Sequence, residues 1–202
     1  YTFSGAGSLT LDNGASSPSV TVGAGSHTLS LPVTPAAALT VNTLGNASLT
    51  ANGAIGGSSA LVKQGSGELV LTAANTYAGG TTVQGGTLSL QQGATLSTGT
   101  VSLTTAGVRL RSTGSLPVTI SNMVVAAVSG TALDAVAPMI FLGTLDWASG
   151  QQTVYKYGTG ELIFKGNAAE SGNYRLNLRT GTFRLAEGAS LLINNANVRD
   201  SL

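Results

Sequence analysis

Lys63-Gln-Gly-Ser-Gly-Glu-Leu-Val-Leu71 returns later in the chain as Lys156-Tyr-Gly-Thr-Gly-Glu-Leu-Ile-Phe164, an offset of 156 − 63 = 93 residues. Each copy is followed by a second matched stretch. Gly86-Thr-Leu-Ser-Leu-Gln-Gln-Gly-Ala-Thr-Leu96 corresponds to Gly181-Thr-Phe-Arg-Leu-Ala-Glu-Gly-Ala-Ser-Leu191, an offset of 181 − 86 = 95 residues. The extra two residues fall between the matched strands, where stacked coils absorb insertions. A closed barrel would tolerate them as well, but has no need of two similar modules in series. Each module reads as a strand, a glycine-rich loop and a second strand ending in Gly-Ala-x-Leu. One such unit cannot bury its apolar face alone. Units stacked about 4.8 Å apart bury a continuous column of Leu, Val and Ile.

The same texture extends outward in both directions. Ser8-Leu-Thr-Leu11, Val20-Thr-Val22, Thr28-Leu-Ser-Leu31, Leu39-Thr-Val41, Ala47-Ser-Leu-Thr50, Thr100-Val-Ser-Leu103, Val108-Arg-Leu110, Val118-Thr-Ile120 and Ser190-Leu-Leu-Ile193 mostly alternate an aliphatic with a polar residue. That period of two puts the aliphatics on one face. Gly-Ala-Gly, Asp-Asn-Gly, Gly-Gly and Gly-Thr-Gly separate the runs and supply the reversals. Helical periodicity is almost absent. Ala132 to Leu142 is the least strand-like stretch, and Pro138 argues against a long helix there. A coil of about 20–25 residues would make eight to ten coils of the 202 residues.

Composition narrows the class. Charged residues are only 8% against 42% hydrophobic, far from an ordinary soluble domain but too aliphatic for a disordered chain. Cysteine is absent, which removes disulfides, a thiol nucleophile and thiolate metal sites, and suits passage through an oxidising periplasm. A net charge of +1 gives no footprint for nucleic acid or anionic lipid. No Lys or Arg precedes Lys63, and six of the nine (Lys156, Lys165, Arg175, Arg179, Arg184 and Arg199) lie between 156 and 199, diluted by Glu161, Glu170, Glu187 and Asp200. These are expected to form a mixed, solvated face. The opening Tyr1-Thr-Phe-Ser-Gly5 lacks the regions of a signal peptide, and the segment begins and ends in mid-pattern. The longest apolar runs, Met123 to Val128 and Ala135 to Leu142, fall well short of the ~20 residues of a spanning helix, so the segment is expected to be soluble.

Reactive residues are sparse. The single His27 sits in Gly25-Ser-His-Thr-Leu29, at a turn or strand start, and reads as a surface residue; no Gly-x-Ser-x-Gly elbow accompanies it. The eight acidic residues are scattered, and Glu68 and Glu161 share one module position, which indicates a common strand-edge role rather than a glycosidase pair. Gly65–Gly67 and Gly158–Gly160 precede β patterns and lack the helix whose N-terminus would hold a phosphate, so they read as turns. Four Asp in all do not make a calcium-binding β-roll. Asn75 is expected to bond its own turn or stack with neighbours, Tyr77 to cover a loop, and Trp147 to pack at an irregular coil. No catalytic, cofactor-binding or metal-ligating residue is assigned, and no cofactor is expected.

The stretch Leu61 to Leu96 resembles the passenger-associated transport repeat. Lys63, Gly65, Gly67, Leu69 and Leu71 give Lys-x-Gly-x-Gly-x-Leu-x-Leu; Asn75, Thr76, Tyr77, Gly79, Gly80, Thr81 and Val83 give Asn-Thr-Tyr-x-Gly-Gly-Thr-x-Val; and Gly86, Thr87 and Leu88 complete it. The copy at Tyr155 to Leu191 keeps Lys156, Gly158, Gly160, Leu162, Gly181 and Thr182, but its middle, Asn167 to Tyr174, only echoes the pattern. The resemblance implies an all-β fold, a right-handed parallel β-helix forming one segment over 1–202 with modules at 61–96 and 155–191, from a longer passenger of a Gram-negative autotransporter. It implies a cell-surface or secreted scaffold, not an enzyme, supporting export and adhesion, aggregation or host-protein binding. A stalk below an enzymatic domain placed N-terminal to Tyr1 is the alternative. The implied partners are the outer-membrane translocator barrel of the same polypeptide, outside these residues, and host surface proteins or glycans, or self-association between cells. A membrane barrel would need aromatic girdles, which five Tyr, four Phe and one Trp do not supply.

Overall fold

The computed structural model describes residues 1–14, 16–147, 152–169 and 174–191, with side chains described throughout these except at 167–169, 174 and 190–191. The chain is all-β, a parallel β-solenoid of about 8 turns. Each coil contributes one strand to each of two nine-stranded sheets. The first sheet runs Thr2–Phe3, Ser26–Leu29, Ser48–Ala51, Glu68–Leu71, Thr87–Leu90, Arg109–Ser112, Thr131–Ala135, Gln152–Tyr157 and Tyr174–Leu178. The second runs Ser19–Val22, Leu39–Thr43, Leu61–Gln64, Thr81–Val83, Val101–Leu103, Val124–Ala126, Leu145–Trp147, Asn167–Ala169 and Ser190–Leu191. Between them the chain passes a third position. This is a two-stranded pair (Leu9–Leu11 and Val33–Pro35) at the start and isolated bridges Val33–Ile55 and Ala74–Thr95 in the middle. At the end it is a four-stranded sheet of Val118–Ile120, Met139–Phe141, Glu161–Phe164 and Thr182–Leu185.

Register follows from the alternation. In the first sheet Leu49, Leu69, Leu88, Leu110 and Leu133 pair in one inward column, advancing 19 to 23 residues per coil (88 − 69 = 19; 133 − 110 = 23). In the second sheet Leu39, Leu61, Thr81, Val101, Val124 and Leu145 form another. A slip of one residue would turn a whole column to solvent, so each aliphatic fixes the register of its neighbours. Each buried Leu contributes roughly 1.5–3 kcal/mol. At the third position Phe141 and Phe164 stack with ring centroids 5.0 Å apart, and Phe183, which pairs with Leu162, meets Phe164 diagonally at 5.5 Å.

Ala132 to Leu142 departs from expectation: Thr131–Ala135 and Met139–Phe141 are strands, with Pro138 at the corner between them. All five residues of Thr131–Ala135 are buried, because outward Asp134 lies beneath two arginines that hide the alternation. Leu192 and the Asn-rich positions beyond it, the middle of the second repeat copy at 170–173, and Glu170, Arg199 and Asp200 lie outside the described residues.

Candidate functional site

The repeat's lysine is the least expected feature. Lys63 stands in an inward column, paired between Val41 and Val83, and is 0% exposed. Its stem packs where an aliphatic would, and its ammonium turns into the corner ahead. There Nζ donates to the carbonyl oxygens of Gln64 (2.6 Å), Gly65 (2.9 Å) and Gly85 (3.1 Å). An ammonium has three donors and no acceptor, so three carbonyls satisfy it. Burial lowers its pKa to about 8, opposed by the charge of Glu68. Lys156 repeats the arrangement: fully buried between Leu133 and Leu178, it donates to Gly158 and Gly160 (both 2.6 Å) and to Thr180 (2.9 Å). Its pKa is lowered by burial, with Asp134 opposing. Lys156 is therefore no part of a solvated basic face, despite its position in a charge run.

One acceptor of each lysine belongs to the next coil, which is where the second half of the module enters. Gly86 follows Gly85 at φ +62, and a Cβ there would collide with the carbonyl oxygens of Gly65 and Gly67. Gly181 follows Thr180 at φ +73, and its Cβ would collide with Gly158 oxygen and the Lys156 ammonium. Only glycine combines that dihedral with so close an approach. The Gly-x-Gly segments are corner turns, as their sequence indicates.

Asn75, 5% exposed, links three coils. Its Oδ1 accepts from the Ile55 amide (2.8 Å), and its Nδ2 donates to Ala73 (3.0 Å), in its own turn, and to Thr95 (2.8 Å). The amide thus replaces a strand where the third position has only isolated bridges. Tyr77 does not merely cover a loop. It is in the core at 1% exposure, with its hydroxyl 2.6 Å from Thr81 Oγ1, and burial raises its pKa against the hydrogen bonds to Thr81 and Ser97. Beside these residues lies a groove of about 560 Å³ lined by Thr76, Thr95, Ser97, Thr98, Ser121 and Asn122, among others. Asn122 repeats the coil-bridging role, donating through Nδ2 to Ser97 and Gly99.

The module carboxylates are strand-edge groups on the outside. Glu68 accepts from Ser89 Oγ and from Arg111 Nη1 (3.3 Å), and Arg111 Nε reaches Asp134 at 2.8 Å. Glu161 pairs with Arg184 at 2.8 Å. His27 is half-buried in a first-sheet strand, stacked 5.3 Å from Tyr1, with Nε2 2.9 Å from the Ala24 oxygen and Nδ1 3.0 Å from the N-terminal nitrogen. It meets no carboxylate in these contacts. Trp147 is 1% exposed and packs in the second sheet beyond Ala126. Among the described residues no group of three His, Asp or Glu could hold a metal ion.

Sequence spacing missed a cluster on the outside of the first sheet. Arg109, Arg111, Asp134, Tyr155 and Tyr157 are brought together by stacking. Their separation of 23 residues per coil was the available signal (134 − 111 = 23; 157 − 134 = 23).

Residues 61–90 match the family model of the passenger-associated-transport-repeat. No curated protein and no solved structure matches the chain.

Proposed function

We propose that this chain is scaffold that supports its own export, each coil locking onto its neighbour outside a Gram-negative cell. Its premise is that a passenger-associated-transport-repeat on a β-solenoid fits a fragment of an autotransporter passenger. The observation that carries the export role is the lysine corner. Lys63 gains its third acceptor, the Gly85 oxygen, only when the following coil is in place, and Gly86 then packs over the same corner. The coil that brings Gly85 also brings Val83 over the Lys63 stem, so the cation is buried and given its third acceptor in one step. Stacking is therefore rewarded locally, coil by coil, without any long-range contact.

The test uses the passenger joined to its translocator barrel in cells. Protease added to whole cells should cleave wild-type passenger, while Lys63→Ala and Gly86→Val should leave several-fold less at the surface and more retained inside. Equal surface levels for variants that are measurably less stable when purified would overturn the export role.

A further inference from the structure

We propose that the outward face of the first sheet, from Arg109 to Arg179, is a binding surface for an anionic polysaccharide. Through the first five coils the outward positions of this sheet are mostly hydroxyls, among them Thr28, Ser48, Thr50, Thr87 and Ser89. From Arg109–Ser112 onward they come to include Arg109, Arg111, Tyr155, Tyr157 and Arg175, with Arg179 just past the end of the last strand, alongside Ala132, Asp134, Thr153 and Asn177. This concentration stands out in a chain with nine basic residues in all.

The charges are layered. Asp134 lies underneath, its side chain 6% exposed, held by Arg111 Nε at 2.8 Å and Arg109 Nη1 at 3.6 Å. The arginines lie above it, with 36% and 30% of their side chains exposed. Arg175 and Arg179 are exposed one coil beyond the tyrosines. The surface thus offers guanidinium groups outward over the buried Asp134, with Glu68 meeting Arg111 at the lower edge of the face and Arg109, Arg175 and Arg179 beyond it. A guanidinium fork matches sulfate or carboxylate.

The rings fix these cations in place. The Arg109 guanidinium sits 4.6 Å from the Tyr157 centroid and that of Arg179 5.1 Å from Tyr155, with the two rings 5.9 Å apart. Such pairs hold the guanidinium groups in a defined array and reduce the ordering cost of binding. They also occupy ring faces that nucleic-acid bases would need for stacking. What remains for a partner is cations and phenolic hydroxyls, which suit the acidic groups and hydroxyls of a sugar chain better than a nucleic acid. The face is broad, with rungs about 4.8 Å apart, so the partner is an extended polymer.

Binding goes beyond the scaffold role and is measured in vitro, so its failure leaves the export reading untouched. The purified chain is titrated with heparin, neutral dextran and a single-stranded oligonucleotide of matched charge. Heparin should bind at low salt and weaken as salt rises, and dextran should not bind. Arg175→Gln with Arg179→Gln should weaken heparin binding at least about tenfold at an unchanged circular dichroism spectrum. Lys165→Gln with Arg184→Gln, at the third position, should change it less than about twofold. Should the first pair fail to fold, phenylglyoxal footprinting of the wild-type chain decides: heparin should shield Arg109, Arg175 and Arg179 but not Arg184. No heparin binding, equal losses for the two pairs, no shielding, or equal affinity for the oligonucleotide would overturn the assignment.

Discussion

The corners at Lys63 and Lys156 are built from matching sequence, yet they stand on different edges of the solenoid. At Lys63 the chain passes from the second sheet into the first; at Lys156 it passes from the first sheet into the third position. Four coils carry the Lys63 column through Val83, Leu103 and Ala126 to Trp147, and Lys156 comes nine residues later (156 − 147 = 9), one face further on. Each copy nevertheless keeps its own partner one coil ahead: Thr87–Leu90 stacks on Glu68–Leu71, and Thr182–Leu185 stacks on Glu161–Phe164. The repeat therefore specifies a corner and the rung above it, not a face of the solenoid. A lysine in an inward column, a tight turn of carbonyls and a glycine in the next coil suffice wherever two strands meet.

The glycines test that equivalence most severely. Gly86→Val places a β-branched residue at φ +62 against two carbonyl oxygens, and should cost about 4 kcal/mol or prevent folding. Gly181→Val meets the same kind of collision, but in the more exposed last coil of the described residues, and should cost less. Urea unfolding of both variants checks the order. Equal stability of Gly86→Val and wild type would mean that the corner is not closed by backbone approach.

The lysines come next in size. Lys63→Ala removes a buried stem and strands three carbonyls, for about 3 kcal/mol, whereas Lys63→Met restores the packing and should recover roughly half of that. Lys156→Ala should behave alike if the corner is portable; a loss under about 0.5 kcal/mol there would break the comparison.

Protonation sharpens it. The folded Lys63 gives up its proton near pH 8, while an unfolded lysine keeps it to about 10.5. Between those values the unfolded chain binds more protons, so stability rises with pH. Lys63→Met should lose part of that rise and Lys63→Met with Lys156→Met the remainder, read from unfolding midpoints between pH 7 and 10. Above about pH 10 the sign reverses, because the buried Tyr77 phenol stays protonated while its unfolded form ionises. Tyr77→Phe should remove that decline.

First-sheet strands such as Ser48–Ala51 and Thr87–Leu90 were legible because they alternate aliphatics with outward polar residues. In the second sheet Ser19–Val22, Leu39–Thr43 and Val101–Leu103 were legible in the same way, but others were not. Leu61–Gln64 hides its inward column behind a lysine, and Val124–Ala126 lies in an unbroken apolar run with no period to read. The solenoid itself was legible from the repeat, since identical corners need identical residues. The role of Lys63 was hidden because charge predicts exposure unless the acceptors are known, and two of its three lie in the turn while the third is 22 residues away. The arginine–tyrosine face was hidden for a related reason: stacking joins residues two coils apart that no local pattern connects.

The module carboxylates give the smallest and finest contrast. Sequence assigns Glu68 and Glu161 one strand-edge role, and both do accept hydrogen bonds across coils. Their settings differ. Glu68 engages Ser89 and Arg111, and Arg111 is itself anchored by the nearly buried Asp134, so the pair belongs to a network spanning four strands. Among the described residues Glu161 pairs with Arg184 alone, whose side chain is 51% exposed. Isolated exposed pairs contribute little because both side chains must be ordered in high dielectric, whereas a network shares that ordering cost. Glu68→Gln should therefore cost about 1 kcal/mol and Glu161→Gln under about 0.5 kcal/mol, with the Glu68 effect falling further as salt is added. A double-mutant cycle between Glu68 and Arg111 isolates the coupling; a value near zero would reduce the ladder to coincidence of register, and leave the buried lysines as the charges that bind coil to coil.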